Sequence, residues 1–169
     1  HPDLAVTGNE GGFSVDNLPE NSARIYENEG DGTFTPLNAG IDGVTVGSVD
    51  WGDVDGDGDL DLVVTGNIGG VGDLCPDFPP FVDPPPVCDD PDPSIRVYQN
   101  ENGSFSQLDA GISEGVALGA ARFGDIDDDG DPDLAVTGGQ GSLESPVPYA
   151  AIYENDGTGT FSSVNAPLT

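Results

Sequence analysis

Three times in this chain an aspartate opens the same apolar run: DLAVTG at Asp3, DLVVTG at Asp61 and DLAVTG at Asp133. Each run is followed by a loop of variable length and then by a matched segment. These segments are RIYENEGDGTF (24–34), RVYQNENGSF (96–105) and AIYENDGTGTF (151–161), and they lead into LNAGI, LDAGI and VNAPL. After the first two copies come GVTVGSVDWGD (43–53) and GVALGAARFGD (115–125). A repeat of this period is one supersecondary unit reused, and each unit needs its neighbours to bury its apolar face. The units run 1–42, 43–114 and 115–169, in a chain of 169 residues that is long enough for a real core.

Short β-branched and aromatic runs between Gly, Pro, Asn and Asp clusters are strand signals. One unit reads as four strands, 44–51, 60–65, 95–99 and 104–108. With 26 Gly, 15 Pro and no helical periodicity, the chain is expected to be all-β. The turn between the third and fourth strands carries Asn102-Gly103, Asp31-Gly32 or Asp156-Gly157, the residues a tight hairpin demands. Tyr26, Tyr98 and Tyr153, with Phe34, Phe105 and Phe161, recur at matched places and are expected to pack between neighbouring sheets, as are Trp51 and Phe123. Gly47 and Gly119 within strand one imply close approach of another backbone, as strands crowded around an axis would bring.

The chemistry lies between strands one and two. WGDVDGDGDLDLVVTG (51–66) places Asp53, Asp55 and Asp57 at alternate positions, then Gly58 and Asp61. FGDIDDDGDPDLAVTG (123–138) repeats the pattern with Asp125, Asp127, Asp129, Gly130 and Asp133. Carboxylates so spaced on a tight turn converge on one point, and hard oxygen ligands without Cys or His suit Ca²⁺. Glycine at the sixth position permits the bend that brings in a backbone carbonyl, that of Asp59. An EF-hand loop would close with Glu at position twelve between helices. Here position twelve is Val64 or Val136 and a strand follows, so the site closes at position nine, on Asp61 and Asp133.

Charge narrows the function classes. Against 32 acids stand three arginines, Arg24, Arg96 and Arg122, for a net charge of −29. Such a surface repels nucleic acid and anionic membranes, and no apolar run is long enough for a membrane span. A salty or calcium-rich extracellular medium suits it. Catalysis is not expected, because His1 is the only histidine, Lys is absent and neither cysteine has a base beside it in sequence.

The combined pattern GDxDGDGDxDLxV…IYxNxGDGTF resembles the FG-GAP/VCBS repeat of integrin-α-like β-propellers and many secreted bacterial proteins. The resemblance covers nearly the whole chain. It implies four-stranded antiparallel propeller-type blades with Ca²⁺ in the turn between strands one and two. Metal positions carried over residue by residue are Asp53, Asp55, Asp57 and Asp61 with the Asp59 carbonyl, and Asp125, Asp127, Asp129 and Asp133 with the Asp131 carbonyl. The family serves mostly in adhesion, scaffolding and ligand display. Two departures stand out. There are three units where closed propellers of this kind typically have seven, and His1-Pro2-Asp3 aligns with Asp131-Pro132-Asp133. Unit one therefore lacks its first strand and early ligands, leaving a third site at Asp3 for a neighbour to complete.

The middle unit carries a Pro-rich insertion, 71–94, read as a surface loop bracketed by Cys75 and Cys88, which are expected to form a disulfide. Asn102-Gly103-Ser104 matches a glycosylation sequon but reads first as a hairpin turn. The expected function is a non-catalytic, calcium-stabilised extracellular structural or adhesion module. It would self-associate head-to-tail, as a ring or filament, or continue covalently into a larger propeller. The alternative is a ligand-recognition module, lectin-like or protein-binding.

Overall fold

The computed structural model describes residues 3–10, 20–68, 92–141 and 145–164. Among them the chain forms three antiparallel sheets. The first holds β1 (Leu4–Glu10), β2 (Glu20–Asn28) and β3 (Phe34–Leu37). The second holds β4 (Thr45–Gly52), β5 (Asp61–Asn67), β6 (Pro93–Glu101) and β7 (Ser104–Leu108). The third holds β8 (Ala117–Gly124), β9 (Asp133–Gln140), β10 (Val147–Asn155) and β11 (Phe161–Val164). Strands pair in sequence order within each sheet and no sheet closes into a barrel. This is the expected all-β arrangement of blade-like units, with the first unit one strand short. Register is conserved between units: Leu4 faces Tyr26, Leu62 faces Tyr98 and Leu134 faces Tyr153.

The apolar run LVV explains how the units stack. Every residue of β5 is buried, so the second sheet is a middle layer covered on both faces, where polar alternation would be costly. Leu62, Val64 and Tyr98 join Ile25, Ala39 and Val44 in one core cluster, between the first and second sheets. Val63 and Val97 join Leu134, Val136, Tyr153 and Phe161 in another, between the second and third. Each fully buried Leu or Val contributes about 1.5–3 kcal/mol. The first strands of the second and third sheets lie side by side. Ala121 N donates to Ser48 Oγ at 3.1 Å, Phe123 N to Asp50 Oδ2 at 2.9 Å and Arg122 Nη1 to Val49 O at 3.3 Å. Side chains of β4 thus satisfy edge amides of β8 that no strand pairs.

Three expectations need correction. Gly47 and Gly119 do admit a close backbone, but it belongs to the second strand of their own sheet and not to strands around an axis. Pairing slips between Thr45 and Ser48 and between Ala117 and Ala120. Val46 and Leu118 take φ of 48° and 54° at this β-bulge, and a Cβ on the following glycine would collide with the Thr65 or Thr137 carbonyl. The Asn102-Gly103 hairpin is the expected two-residue turn, with φ of 54° and 87°. The other two are not tight: β2–β3 and β10–β11 are joined by residues 29–33 and 156–160, closed by Glu29 N to Thr33 O and Asp156 N to Thr160 O, both 3.1 Å. Finally, Tyr98, Tyr153 and Phe161 are buried, but Phe34 is 47% exposed. Phe105 and Phe161 lean on the strand-one aromatics Trp51 and Phe123, with ring centroids 6.1 and 6.4 Å apart; the first sheet has no such strand to cover Phe34.

Cys75, Cys88 and most of the insertion lie outside the described residues. Among those described, no helix is long and apolar enough to cross a membrane.

Candidate metal centre

Both acidic loops bend by the same means. Gly58 and Gly130 have φ of 95° and 100°, as the sixth position requires. The fourth position is left-handed too, with Gly56 at 73° in one loop and Asp128 at 64° in the other. Aspartate is among the few side chains that tolerate this region. The turns are then held by their own carboxylates. Gly58 N donates to Asp53 Oδ2 and Gly130 N to Asp125 Oδ2, both at 3.1 Å. Asp59 N donates to Asp57 Oδ1 at 2.8 Å and Asp131 N to Asp129 Oδ1 at 2.9 Å.

The ninth-position aspartates anchor each loop to its sheet. Asp61 is fully buried and Asp133 is 2% exposed. Asp61 Oδ2 accepts from Val54 N and its Oδ1 from Asn100 N, both at 2.8 Å. Asp133 repeats this with Ile126 N at 2.8 Å and Asn155 N at 2.9 Å. In the first unit Asp3 Oδ1 takes Asn28 N at 3.0 Å, matching the bonds of Asp61 to Asn100 N and of Asp133 to Asn155 N. Each carboxylate oxygen keeps a free lone pair beside these bonds. Burial pushes the Asp61 carboxyl above its usual range, and the charges of Asp55 and Asp57 push the same way, against the two amides. Desolvation and then the charge of Asp129 push Asp127 up as well.

Oxygens of Asp53, Asp55 and Asp57 lie within 4.8 Å of one another, as do those of Asp125, Asp127 and Asp133. Two ligands on one Ca²⁺ stand at most about 5 Å apart, since each bond is about 2.3–2.6 Å. The two loops therefore gather different subsets of equivalent positions: first, third and fifth in one, first, third and ninth in the other. Asp57 and Asp61 are not joined in one triad, nor are Asp129 and Asp133. The carboxylates of Asp59 and Asp131, residues expected to offer backbone carbonyls, lie outside both triads: Asp59 Oδ2 accepts Asn102 N at 2.7 Å, and Asp131 sits against Gly157.

One atom tests whether a cation fits. Asp53 Oδ1 is buried and has no hydrogen-bond partner. A buried carboxylate oxygen left so costs several kcal/mol unless a positive charge meets it. Together with an all-oxygen donor set and no nearby basic group among the triad's partners, this fits a hard divalent cation. Both clusters can hold one.

Sequence reading missed the clasp around the loops. Asn100 and Asn155 lie near or at the end of the third strand and also bond loop carbonyls: Asn100 Nδ2 to Leu60 O at 3.0 Å, Asn155 Nδ2 to Pro132 O at 3.2 Å. Asn155 Nδ2 also reaches across to Val54 O of the second unit at 2.8 Å. Gln99 Nε2 holds Asp55 Oδ2 at 2.6 Å. The signal was present, since Asn28, Asn100 and Asn155 recur at one place in every copy.

No curated protein and no solved structure matches the chain. The family model of the FG-GAP-like repeat matches residues 1–64, a span that contains the whole first acidic loop and the fully buried Asp61. Residues 1–64 are thus similar to an FG-GAP-like repeat.

Proposed function

We propose that this chain is a calcium-stabilised structural module of the extracellular medium, of the non-catalytic kind that such repeats form. Asp53, Asp55, Asp57 and Asp61 with the Asp59 carbonyl hold one ion. Asp125, Asp127, Asp129 and Asp133 with the Asp131 carbonyl hold the second. A third site at Asp3 needs ligands from a neighbour. The ion supplies positive charge at the centre of each loop. The residues themselves tie strand one to strand two and, through Asn100 and Asn155, to the third strand. The observation that carries the reading is the buried, unpartnered Asp53 Oδ1 among converging carboxylates.

An acidic surface of net charge −29 stays soluble where salt or calcium screens it, which supports an extracellular place and a scaffold or adhesion role. Head-to-tail association or covalent continuation into further units supplies the partners for the end sheets.

Thermal melting with calcium and with EGTA tests the reading. A ligand that binds the folded form alone stabilises it by about 2.7 kcal/mol per site at one hundred times Kd. EGTA should lower Tm, and Asp57→Ala or Asp129→Ala should remove about half of the calcium effect. Equal melts with and without EGTA would sink the proposal. Mg²⁺ should replace Ca²⁺ poorly, because it holds its water and needs a rigid octahedron.

A further inference from the structure

One buried amide group holds both acidic loops at once. Asn155, the last residue of β10, is 2% exposed, and its side chain uses every hydrogen-bonding position an asparagine has. Its Oδ1 accepts Gly157 N at 3.3 Å and Gly159 N at 3.2 Å, inside its own hairpin. Its Nδ2 donates to two different loops, to Val54 O of the first at 2.8 Å and to Pro132 O of the second at 3.2 Å. Its backbone N donates to Asp133 Oδ1 at 2.9 Å.

Both of those carbonyls lie among metal positions. Val54 is fully buried and stands between Asp53 and Asp55, and its own N–H is held by Asp61 Oδ2 of the same loop. Pro132 stands between Asp131 and Asp133. A single side chain thus joins the backbone beside the ligands of one loop to the backbone beside the ligands of the other. Asn100 is the matching residue of the second unit. Its Nδ2 takes Leu60 O and its N takes Asp61 Oδ1, and among the described residues its side chain bonds only within that unit.

Resting on the cation reading, we propose that Asn155 couples the two cation sites, so that filling either one raises the affinity of the other. Asn155 is a positioning residue that acts through backbone carbonyls. With the second loop closed, Pro132 O and Asp133 are fixed, Asn155 is fixed with them, and Val54 O is held between the converging Asp53 and Asp55. With that loop relaxed, Asn155 either follows it or lets it go. Following it strands the Val54 carbonyl in a dry place, which is costly. Each loop therefore has an ordered and a relaxed arrangement, and each site favours the arrangement the other needs. The coupling is reciprocal, the same factor acting in both directions. Direct repulsion between two bound ions has the opposite sign and is screened by salt, so the coupling should hold or grow as salt is raised.

Calorimetric calcium titration of the full chain at about 0.15 M ionic strength tests this. Asp53→Asn and Asp125→Asn each leave one site and give the two separate binding constants. The product of the two wild-type constants should exceed the product of those by about fivefold or more, the low end of ordinary coupling. The same comparison in an Asn155→Ala background should give a ratio near one. In an Asn100→Ala background the first site should weaken while the ratio stays, which separates coupling from a merely structural clasp. NMR on Asp53→Asn reads the coupling with Asn155 intact: calcium at the remaining second site should shift the Val54 and Asp55 amides as well as those of its own loop. Two ions bound with a wild-type ratio of one or less would overturn the coupling and leave the cation reading standing. No calcium bound at all would overturn both. A ratio that survives Asn155→Ala, or shifts confined to the second loop, would overturn the role of Asn155.

Discussion

Removing the Asp61 carboxylate should damage the fold even when no metal is present. Its two oxygens take the Val54 and Asn100 amides at 2.8 Å, and the residue is fully buried. Asp61→Ala leaves both donors without an acceptor. A stranded buried donor costs about 1–3 kcal/mol. The Val54 bond is buried and the Asn100 bond partly so, so the loss should be about 2–5 kcal/mol, against the roughly 5–15 kcal/mol of a typical domain. Part is returned, because the mutation also relieves a dry carboxylate pressed by Asp55 and Asp57. Asp61→Asn keeps one acceptor and turns an amide group on the other donor, so it should lose about half as much. Asp59→Ala is the control: its partner, Asn102 N, is exposed, and the loss there should be under about 1 kcal/mol. Urea unfolding in EGTA measures all three with metal excluded. If Asp61→Ala stays within about 0.5 kcal/mol of the wild type, the carboxylate is not what ties the loop to the sheet and the reasoning fails.

Other consequences can be checked on the same protein. Gly56→Ala forces a methyl into a left-handed residue and should cost about 1–2 kcal/mol, while Asp128→Gly at the equivalent place should gain up to about 1 kcal/mol by denaturant unfolding. Gly47→Ala or Gly119→Ala should be worse than Gly56→Ala, because the new Cβ would collide with the Thr65 or Thr137 carbonyl, whereas a Cβ on Gly56 meets open space; an equal or smaller loss would refute the bulge. Burial first, then the Tyr149 hydroxyl and Glu114, raise Tyr153 above the ordinary value of 10.0, and burial raises Tyr98. The folded state therefore favours their neutral forms, and this stability is complete below about pH 10 and is lost as the pH rises beyond it. Ultraviolet titration should show these two tyrosines ionising at higher pH than free tyrosine, and Tyr153→Phe should flatten the alkaline loss.

Much of this was legible in the sequence because the repeat aligned one unit with another. Matched runs such as DLVVTG and RVYQNENGSF located the strands, and the alternation of Asp with Gly located the acidic loops. What escaped were features that depend on a neighbour. The apolar run of β5 names a buried strand, but not that Leu62 and Val64 face one sheet and Val63 the other. Gly47 signalled a close backbone without saying whose, and the β-bulge that supplies it is a pairing slip invisible to local patterning. Phe34 reads like Phe105 and Phe161, yet its burial depends on a strand-one aromatic that the first sheet lacks. The turns of residues 29–33 and 156–160 carry Asp-Gly where the tight hairpin carries Asn-Gly, and extra residues change their type. The ninth-position aspartates announced themselves as ligands and hid their second task, holding two backbone amides in a buried place.

Calcium stoichiometry tests the central claim most directly. Equilibrium dialysis of the full chain in millimolar calcium, at a concentration low enough to keep it monomeric, should find two ions per chain. Asp53→Asn and Asp125→Asn should each remove one of them. No bound calcium, or two ions still bound after Asp53→Asn, would contradict the account.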